Sequence, residues 1–328
     1  MISILMPAKN AEKHLKDCLN SIINQSFKNW ELIVVNDNST DETEAILKLY
    51  SLEERRITYI NNRGSGIISA LQLAYKNCTG KYITRMDADD IMPFDKLELM
   101  HNAILKNPNA LITGLVKYIA DDKLYDGYLA YETWLNDLVF HQNHFEEIYK
   151  ECVIPSPCWL VSRATFEHCG GFDSEIYPED YDLSFRFYEN NIQVIGVPEV
   201  LHIWRDHSTR ASRNDSNYSD NAFLDIKVFY FLKLDFNQNK KLVLWGAGTK
   251  AKKIAQLLSE RKIDFIWACN NSKKIGHNIY GQILQDIDTV FEPEKNYQTI
   301  MTIANKTEQK ELKTNLKTQK KIEVFWFC

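Results

Sequence analysis

The chain has 328 residues, with 39 Lys and Arg against 44 Asp and Glu, a net charge of −5, and 45% hydrophobic residues. This length and composition predict two domains with real hydrophobic cores and exclude a disordered or collagen-like chain. The mild acidity argues against a dedicated nucleic-acid binder, which needs concentrated Lys and Arg. The seven cysteines form no C-x-x-C pair, so their spacing suggests neither a zinc site nor a disulfide framework. We expect a cytoplasmic enzyme with reduced thiols, without a signal peptide or membrane span.

The first 90 residues alternate between apolar runs typical of strands and runs with helical periodicity. Predicted strands cover 2–6, 31–35, 57–60 and 81–86, and predicted helices cover 11–24, 45–52 and 67–75. Ser39 or Thr40 is the predicted N-cap of the second helix. This alternation predicts an α/β fold with a mainly parallel sheet flanked by helices.

Polar clusters follow three of the predicted strands, at 7–10, 36–41 and 87–90. Because ligands bind beyond the carboxyl ends of parallel strands, we expect these clusters to surround one crevice. So many carboxylates would repel one another unless a cation lay among them. Asp87 and Asp89 are the sharpest signal, because two carboxylates at this spacing can hold a divalent cation and leave room for diphosphate oxygens. A cap or a solvated acidic loop is the alternative interpretation.

The middle of the chain is less periodic. A helix is predicted at 96–105, an aromatic-rich stretch covers 118–134, and 132–151 has a helical pattern. A composition break at 237–241 separates a first domain, 1–236, from a second domain, 237–328. The second begins with strands predicted at 242–245, 265–268 and 299–303 and a helix at 250–260.

Six segments of the first 215 residues match one protein family in order. They are 3–10, 31–41, 80–90, 170–173 (Gly-Gly-Phe-Asp), 179–183 (Glu-Asp-Tyr-Asp-Leu) and 204–207 (Trp-Arg-Asp-His). Together they resemble a family 2 glycosyltransferase of the GT-A fold. The resemblance implies a nucleotide-diphospho-sugar donor, Mn²⁺ or Mg²⁺ as cofactor, and a saccharide or lipid-linked glycan as acceptor. It also implies cell-surface glycan synthesis at the inner face of the plasma membrane, with peripheral membrane association and no nucleic-acid partner.

The resemblance also implies roles for individual residues. In inverting members, the Asp of a Glu-Asp pair is the catalytic base, here Asp180, and the neighbouring Glu179 binds the acceptor or orients the loop. The implied metal ligands are Asp87, Asp89 and His207. The implied nucleotide-sugar-binding residues are Pro7, Ala8, Asn10, Glu12, Asp37, Gly66, Asp87, Ala88 and Arg205.

Each of these roles has a plainer structural alternative. Asp37 is also suited to cap a helix, Gly66 to start one, and Glu179 and Asp180 to complement a helix dipole. His207 has the alternative of a structural histidine, and Arg205, Arg210 and Arg213 that of a solvated basic loop. The aromatic residues of 118–134, with 152–159, suit either an acceptor cleft or a core cluster. Asn36, Asn38 and Gln72 replace the residues usual in the family, so the nucleotide base is left open.

The second domain opens with Gly246-x-Gly248-x-x-Ala251, a weakened dinucleotide fingerprint between a strand and a helix. The acid expected after the next strand is replaced by Cys269-Asn270-Asn271, which argues against NAD binding. The segment resembles the small Rossmann-like domains appended to some bacterial glycosyltransferases, and a packing or acceptor-positioning role is the preferred interpretation. Two other functions stay open: a nucleotide-sugar sensor or scaffold without transfer activity, and an NAD-dependent oxidoreductase.

Overall fold

A computed structural model describes residues 1–120, 124–207, 210, 223–316 and 321–328. The chain divides into two compact units. The first comprises Met1–Glu146 and Cys152–Asn214, and the second comprises Glu147–Glu151 and Asp215–Cys328. The second unit therefore begins before the composition break at Asn237. Among the described residues, no helix combines the length and apolar character needed to cross a membrane.

The first unit contains a seven-stranded sheet with helices, in the strand order β3-β2-β1-β4-β6-β5-β7. Its neighbouring strands pair in parallel except for β6, which is antiparallel to both β4 and β5. This confirms the predicted α/β fold with a mainly parallel sheet. The strands are β1 (Ile2–Ala8), β2 (Trp30–Asn36), β3 (Ile57–Asn61), β4 (Tyr82–Arg85), β5 (Leu111–Ala120), β6 (Trp159–Ser162) and β7 (Val194–Asp206). The helices are α1 (Leu15–Ile23), α2 (Thr43–Glu53), α3 (Ile67–Asn77), α4 (Lys96–Lys106), α5 (Asp126–His141), α6 (Arg163–His168) and α7 (Glu179–Glu189).

The apolar periodicity explains how the first elements pack. The apolar run of β1 is buried nearly throughout, as expected of a central parallel strand. Helix α1 buries Leu15, Cys18, Leu19 and Ile22, whose spacing places them on one helical face. These elements bring the ends of β1, β2 and β4 to the same edge of the sheet.

Two local predictions were wrong. Helix α2 begins at Thr43, not after Ser39 or Thr40, because the Asp41 Oδ1 accepts from the Thr43 amide at 3.0 Å. The helical pattern of 132–151 also does not form one helix. Helix α5 ends at His141, before Gln142 in a left-handed conformation, and a 3₁₀ turn follows at His144–Glu147.

The second unit contains a five-stranded parallel sheet in the order β12-β9-β8-β13-β14. The strands of this unit are β8 (Lys241–Trp245), β9 (Ile266–Cys269), the β10–β11 hairpin (Asn278–Ile279 and Gln282–Ile283), β12 (Gln285–Asp286), β13 (Tyr297–Met301) and β14 (Ile322–Trp326). The helices are α8 (Leu224–Tyr230), α9 (Thr249–Glu260) and α10 (Lys306–Leu316), with a π-helical turn at Phe231–Asp235. Within this unit, the Tyr149 ring stacks on Phe327 with a centroid distance of 5.2 Å, which attaches the segment Glu147–Glu151.

Candidate active site

The carboxyl edge of the first sheet brings together the loops that follow β1 and β2. The Asp37 amide donates to the Ala8 carbonyl at 2.7 Å, at the point where β1 and β2 end. The Asn10 side-chain oxygen accepts from the Thr40 amide at 2.9 Å, and the Asn10 amide donates to the Ser39 Oγ at 3.0 Å. The predicted convergence of these polar clusters is therefore present.

Asn10 and Glu12 use their side chains to hold this edge together. Asn10 has a left-handed φ of 48°, which asparagine tolerates better than most residues. The Glu12 Oε2 accepts from the Glu42 amide at 2.9 Å at the start of α2. Pro7 and Ala8 end β1 beneath these loops, and Ala8 is buried. These residues line the edge where a nucleotide was predicted, and their side-chain contacts shape its loops.

Asp37 is buried and does not cap α2. Its Oδ1 accepts from the Asn62 side chain at 2.8 Å, and both of its carboxylate oxygens lie 3.0 Å from the Gly66 amide nitrogen. The ammonium group of Lys9 lies 3.6 Å from Oδ2. The structure thus joins two predicted nucleotide-binding residues, Asp37 and Gly66, although they are distant in sequence.

Gly66 immediately precedes α3 with a φ of 91°. A Cβ atom added there would meet nothing within 4 Å. The backbone conformation, rather than a lack of space, is therefore what favours glycine at this position.

The loop after β4 places Asp87, Ala88 and Asp89 at the same edge. Asp87 is held by Arg85, whose Nε and NH2 atoms both lie 2.9 Å from the Asp87 Oδ1. The NH1 atom of Arg85 donates to the Glu179 Oε1 at 2.7 Å. Ala88 is buried between the two acidic positions. Arg85 therefore joins the predicted metal-binding loop to the predicted catalytic pair.

Two of the predicted metal ligands, Asp89 and His207, contact each other directly. The Asp89 Oδ2 lies 2.9 Å from the His207 Nε2. Burial acts to raise the pKa of Asp89, but the His207 hydrogen bond and the charge of Arg210 hold it below its usual value. The Arg205 Nε donates to the Asp89 carbonyl at 3.3 Å, and its NH2 donates to the Asp17 Oδ2 at 3.2 Å. Arg205 thus lies behind the Asp87–Asp89 loop, and Arg213 lies outside the described residues.

A fully buried row of hydrogen-bonded polar side chains supports this loop. The Asp90 Oδ2 lies 2.9 Å from the His202 Nε2, and the His202 Nδ1 lies 3.4 Å from the Lys96 ammonium nitrogen. Lys96 donates to the Pro157 carbonyl at 2.6 Å, and the Arg205 amide donates to the Asp90 Oδ1 at 2.8 Å. Burial raises the pKa of Asp90 well above its ordinary value. This row of side chains connects the loop to β7 and to the segment before β6.

Asp180 lies in the first turn of α7, beside Glu179. Burial and the charge of Glu179 raise the pKa of Asp180 to about 7, against the opposing effect of Arg85. Its Oδ1 accepts from the Tyr181 amide at 2.8 Å. A carboxyl group with this pKa accepts protons readily near neutral pH, as a general base must.

The donor atoms of this edge fit a divalent cation in kind. Carboxylate oxygens and a neutral imidazole nitrogen are ligands for Mn²⁺, and carboxylates are ligands for Mg²⁺. Asp89 and His207 already lie within hydrogen-bonding distance of each other, whereas the Asp87 Oδ1 is occupied by Arg85. Among the described residues, no group of three His, Cys, Asp or Glu side chains is arranged to hold an ion. An ion held by Asp89 and His207 would therefore need further ligands from water or substrate oxygens.

Three aromatic residues predicted for an acceptor cleft or a core cluster, Tyr118, Tyr131 and Trp134, form a connected cluster with Trp204, which was not predicted there. The Trp204 ring lies 4.8 Å from the Tyr118 ring and 6.1 Å from the Tyr131 ring, which stacks on Trp134. The Arg210 guanidinium lies about 6 Å from both the Tyr118 and Trp204 rings. The cluster is thus adjacent to the loop that carries His207.

The sequence patterns missed Arg85, Lys96 and His202 as site residues. Each is buried. A basic residue that ends an apolar strand, as Arg85 does in β4, was a signal that could have identified one of them.

In the second unit, Gly246 has a φ of 130°, and an added Cβ atom would collide with the Thr302 Oγ1. Gly248 immediately precedes α9, and a Cβ atom added there would meet nothing within 4 Å. The Lys274 ammonium donates to the Ala247 carbonyl at 2.8 Å. The first glycine is therefore required by close packing within this unit.

Comparison with known proteins identifies the class of this protein. The model of glycosyl transferase family 2 matches residues 3–170, about half of the chain. The chain belongs to this family, and its first unit has the GT-A fold.

Two bacterial relatives illustrate how much of the chain is shared. The glycosyltransferase GlyA of Streptococcus pneumoniae is 28% identical over 219 residues, which are 65% of this chain and 31% of that protein. The Escherichia coli β-1,3-glucosyltransferase WfgD, which uses UDP-Glc and α-D-GlcNAc-diphosphoundecaprenol, is 27% identical over 241 residues, 73% of this chain and 87% of that protein. This chain therefore spans less than a third of the length of the first relative and most of the second.

Two solved structures share the fold at low identity. Staphylococcus aureus TarS 1–349 in complex with UDP-GlcNAc matches with a TM-score of 0.55 and 18% identity, over 78% of this chain and 71% of that chain. The mannosyltransferase PcManGT of Pyrobaculum calidifontis, in complex with GDP-Man and Mn²⁺, matches with a TM-score of 0.55 and 16% identity, over 78% and 68%. Both neighbours hold a nucleotide sugar.

Proposed function

We propose that this chain is an inverting, metal-dependent glycosyltransferase. It moves a sugar from a nucleotide-diphosphate donor to a saccharide or lipid-linked acceptor in cell-surface glycan synthesis. The observation that carries this proposal is the tie from Asp87 through Arg85 to Glu179, because it joins the loop proposed to bind the donor to the helical turn that contains Asp180, the proposed base. Family membership and the nucleotide sugars held by TarS and PcManGT support the choice of donor.

The donor lies along the carboxyl edge of the first sheet in this proposal. One wall of the donor site consists of Pro7, Ala8 and the loops held by Asn10 and Glu12. The opposite side, formed by Asp37 and Gly66, faces the nucleobase and the ribose. Asp87 and Ala88 approach the ribose and diphosphate, and Arg205 supports them from behind through the Asp89 carbonyl. Asp89 and His207 would hold Mn²⁺ or Mg²⁺, whose charge would neutralise the negative charge that develops on the diphosphate.

Asp180 acts as the base for the acceptor. Its carboxylate takes the proton of an acceptor hydroxyl, whose oxygen forms a bond to the anomeric carbon as the bond to the diphosphate oxygen breaks. Attack from the face opposite the leaving diphosphate inverts the anomeric configuration. Glu179 lies one residue away, where it contacts the acceptor or holds the loop.

The aromatic cluster beside His207 suits the acceptor side, because aromatic faces bury the apolar faces of sugar rings. Tyr118, Tyr131 and Trp204 contact one another there. A lipid-linked acceptor, such as the diphosphoundecaprenol-linked GlcNAc named for WfgD, would bring this enzyme to the inner face of the plasma membrane as a peripheral protein.

The proposal is tested by Asp180→Asn, which keeps the side chain's size and removes the base. Transfer should fall by about a thousandfold, within the range for loss of a general base. Release of nucleoside diphosphate is measured with UDP-Glc, UDP-GlcNAc and GDP-Man, with Mn²⁺ and with GlcNAc-diphosphoundecaprenol as a trial acceptor. Asp95→Asn is the matched control, because Asp95 is an exposed residue immediately before α4.

Turnover by Asp180→Asn at the wild-type rate would refute the proposed base. Tight binding of a nucleotide sugar by the wild-type protein without any release or transfer would instead favour a sensor or scaffold.

A further inference from the structure

Arg85 carries a charge in a place where charge is costly. It ends β4, and its side chain is only 5% exposed. Burying a guanidinium group costs several kcal/mol unless good hydrogen bonds to opposite charges compensate. The partners of Arg85 are therefore the reason it is tolerated in the core of the sheet.

The fork of the guanidinium group holds two carboxylates at once. Two of its nitrogens lie 2.9 Å from the Asp87 Oδ1, and a third lies 2.7 Å from the Glu179 Oε1. A lysine ammonium is a point charge on a flexible stem and cannot reproduce this planar arrangement. The structure thus uses the one side chain whose geometry fixes both acids relative to each other.

The two acids belong to segments that are far apart in sequence. Asp87 follows β4 in the loop that holds Asp89, and Glu179 begins α7 next to Asp180. Glu179 is only 4% exposed, and its Oε2 is buried with no hydrogen-bond partner among the described residues. An oxygen without accessible surface does not reach a bound sugar in this arrangement, so the Glu179 side chain is anchored here by its Oε1 bond to Arg85.

We propose that Arg85 is a positioning residue for transfer, which holds the loop of Asp87 and the first turn of α7 in one register. It thereby fixes the distance from the donor loop to the base. This inference rests on the proposed function. It gives Arg85 a role beyond neutralising two buried acids, because neutralisation needs a positive charge but not a planar fork.

Arg85→Lys separates these two roles, since it keeps the charge and removes the fork. Release of nucleoside diphosphate from UDP-Glc, UDP-GlcNAc and GDP-Man is measured with Mn²⁺ and water as the acceptor, below the melting temperature of each variant. We expect kcat to fall about a hundredfold, the cost of a misplacement of about 1 Å, and KM for the donor to change less than about threefold. Arg163→Lys is the matched control: Arg163 also donates from Nε and NH2, to the Gly80 and Cys78 carbonyls, but lies away from the site acids. Its kcat should not change.

A second comparison covers the case in which Arg85→Lys does not fold. Glu179→Gln keeps an oxygen that can accept from Arg85, whereas the double variant Arg85→Met/Glu179→Gln removes the tie and both charges of the pair. The double variant should turn over about a hundredfold more slowly than Glu179→Gln.

The positioning role is refuted if folded Arg85→Lys has a kcat within about threefold of the wild-type value. It is also refuted if the double variant has a kcat within about threefold of that of Glu179→Gln. An equal loss in Arg163→Lys would refute it as well. If the wild-type protein releases nucleotide from none of the three donors with water but transfers to an acceptor in the earlier assay, the same comparisons are made in that assay. If it does neither, the proposed function fails and the role of Arg85 fails with it.

Discussion

The two units place very different chemistry at the same kind of sheet edge. At the carboxyl edge of the first sheet, the buried acids Glu179 and Asp90 pair with Arg85 and His202, and the partly buried Asp89 pairs with His207. At the carboxyl edge of the second sheet, Lys274 contacts a backbone carbonyl, and the Asn270 side chain contacts Glu308 at 3.2 Å. Acidic residues outnumber basic ones in residues 1–214, and the reverse holds in residues 215–328.

The difference shows that a parallel sheet provides a place for a site but not its chemistry. Each sheet contains a strand that leads through a turn into a helix, β1 into α1 and β8 into α9, so both create an edge where backbone groups are open to a ligand. In the first unit, distant segments supply charged side chains that are nine-tenths buried or more. We therefore expect catalysis to depend on the first edge and only structure to depend on the second.

The largest effect that would test this contrast is on turnover. Asp89→Asn removes a carboxylate from the candidate metal site and should lower transfer about a thousandfold, because stabilisation of the leaving diphosphate is lost. Asp264→Asn, an exposed acid of the second unit, should have no effect in the same assay. Equal transfer rates for the two variants would contradict the expectation that catalysis depends on the first sheet edge and not on the second unit.

Substitution of Gly246 and Gly248 in the second unit should separate effects on stability from effects on catalysis. Gly246→Ala should lower the free energy of unfolding by about 3 kcal/mol, because its φ of 130° is strained for alanine and Thr302 occupies the space of the new methyl group. Gly248→Ala should be nearly neutral, since its surroundings are open. Denaturant unfolding measures both. A loss of transfer in folded Gly248→Ala would show that the second edge takes part in function.

His144 predicts a pH-dependent stability in the first unit. It is buried, neither ring nitrogen has a hydrogen-bond partner among the described residues, and burial lowers its pKa to about 4. The stability contribution of the neutral ring is present above pH 6.5 and is lost as the pH falls towards 4, by about 2 kcal/mol between pH 7 and pH 5.

His144→Phe should abolish this loss and raise the free energy of unfolding, because the ring would no longer bury two unsatisfied nitrogens. The exposed His277 of the second unit provides the control, His277→Phe. An unchanged pH dependence of unfolding in His144→Phe would contradict the prediction.

The smallest expected effect is on the pH profile of transfer. Because the base must be ionised and the pKa of Asp180 is raised to about 7, the rate should rise about tenfold between pH 6 and pH 8. The described carboxyl groups with raised pKa, Asp90 and Asp180, both lie in the first unit. A kcat that does not change over this pH range would contradict the role of Asp180 as the group that accepts the proton.

Local patterns predicted the early elements well and the middle of the chain poorly. Strands β1 to β4 and helices α1 to α3 follow from short apolar runs and helical spacing, with shifts of a few residues at their ends. The N-cap of α2 was misplaced because Asp41 and Glu12 satisfy its first amides in place of Ser39 or Thr40. The strands β6, inside the first sheet, and β14, at the edge of the second, were not predicted, because a short strand carries no local signal of its pairing partner.

The sequence by itself determined the α/β class, the acidic loops after β1, β2 and β4, and the residues that resemble family 2 glycosyltransferases. Only the tertiary structure decided that Arg85 joins Asp87 to Glu179, that His207 meets Asp89, and that Lys96 and His202 support Asp90. The physical reason is that local spacing sets secondary structure and loops, whereas most of these pairs join segments that only strand pairing brings together. A buried charge is stable only beside its partner, and the fold of the whole first unit chooses that partner.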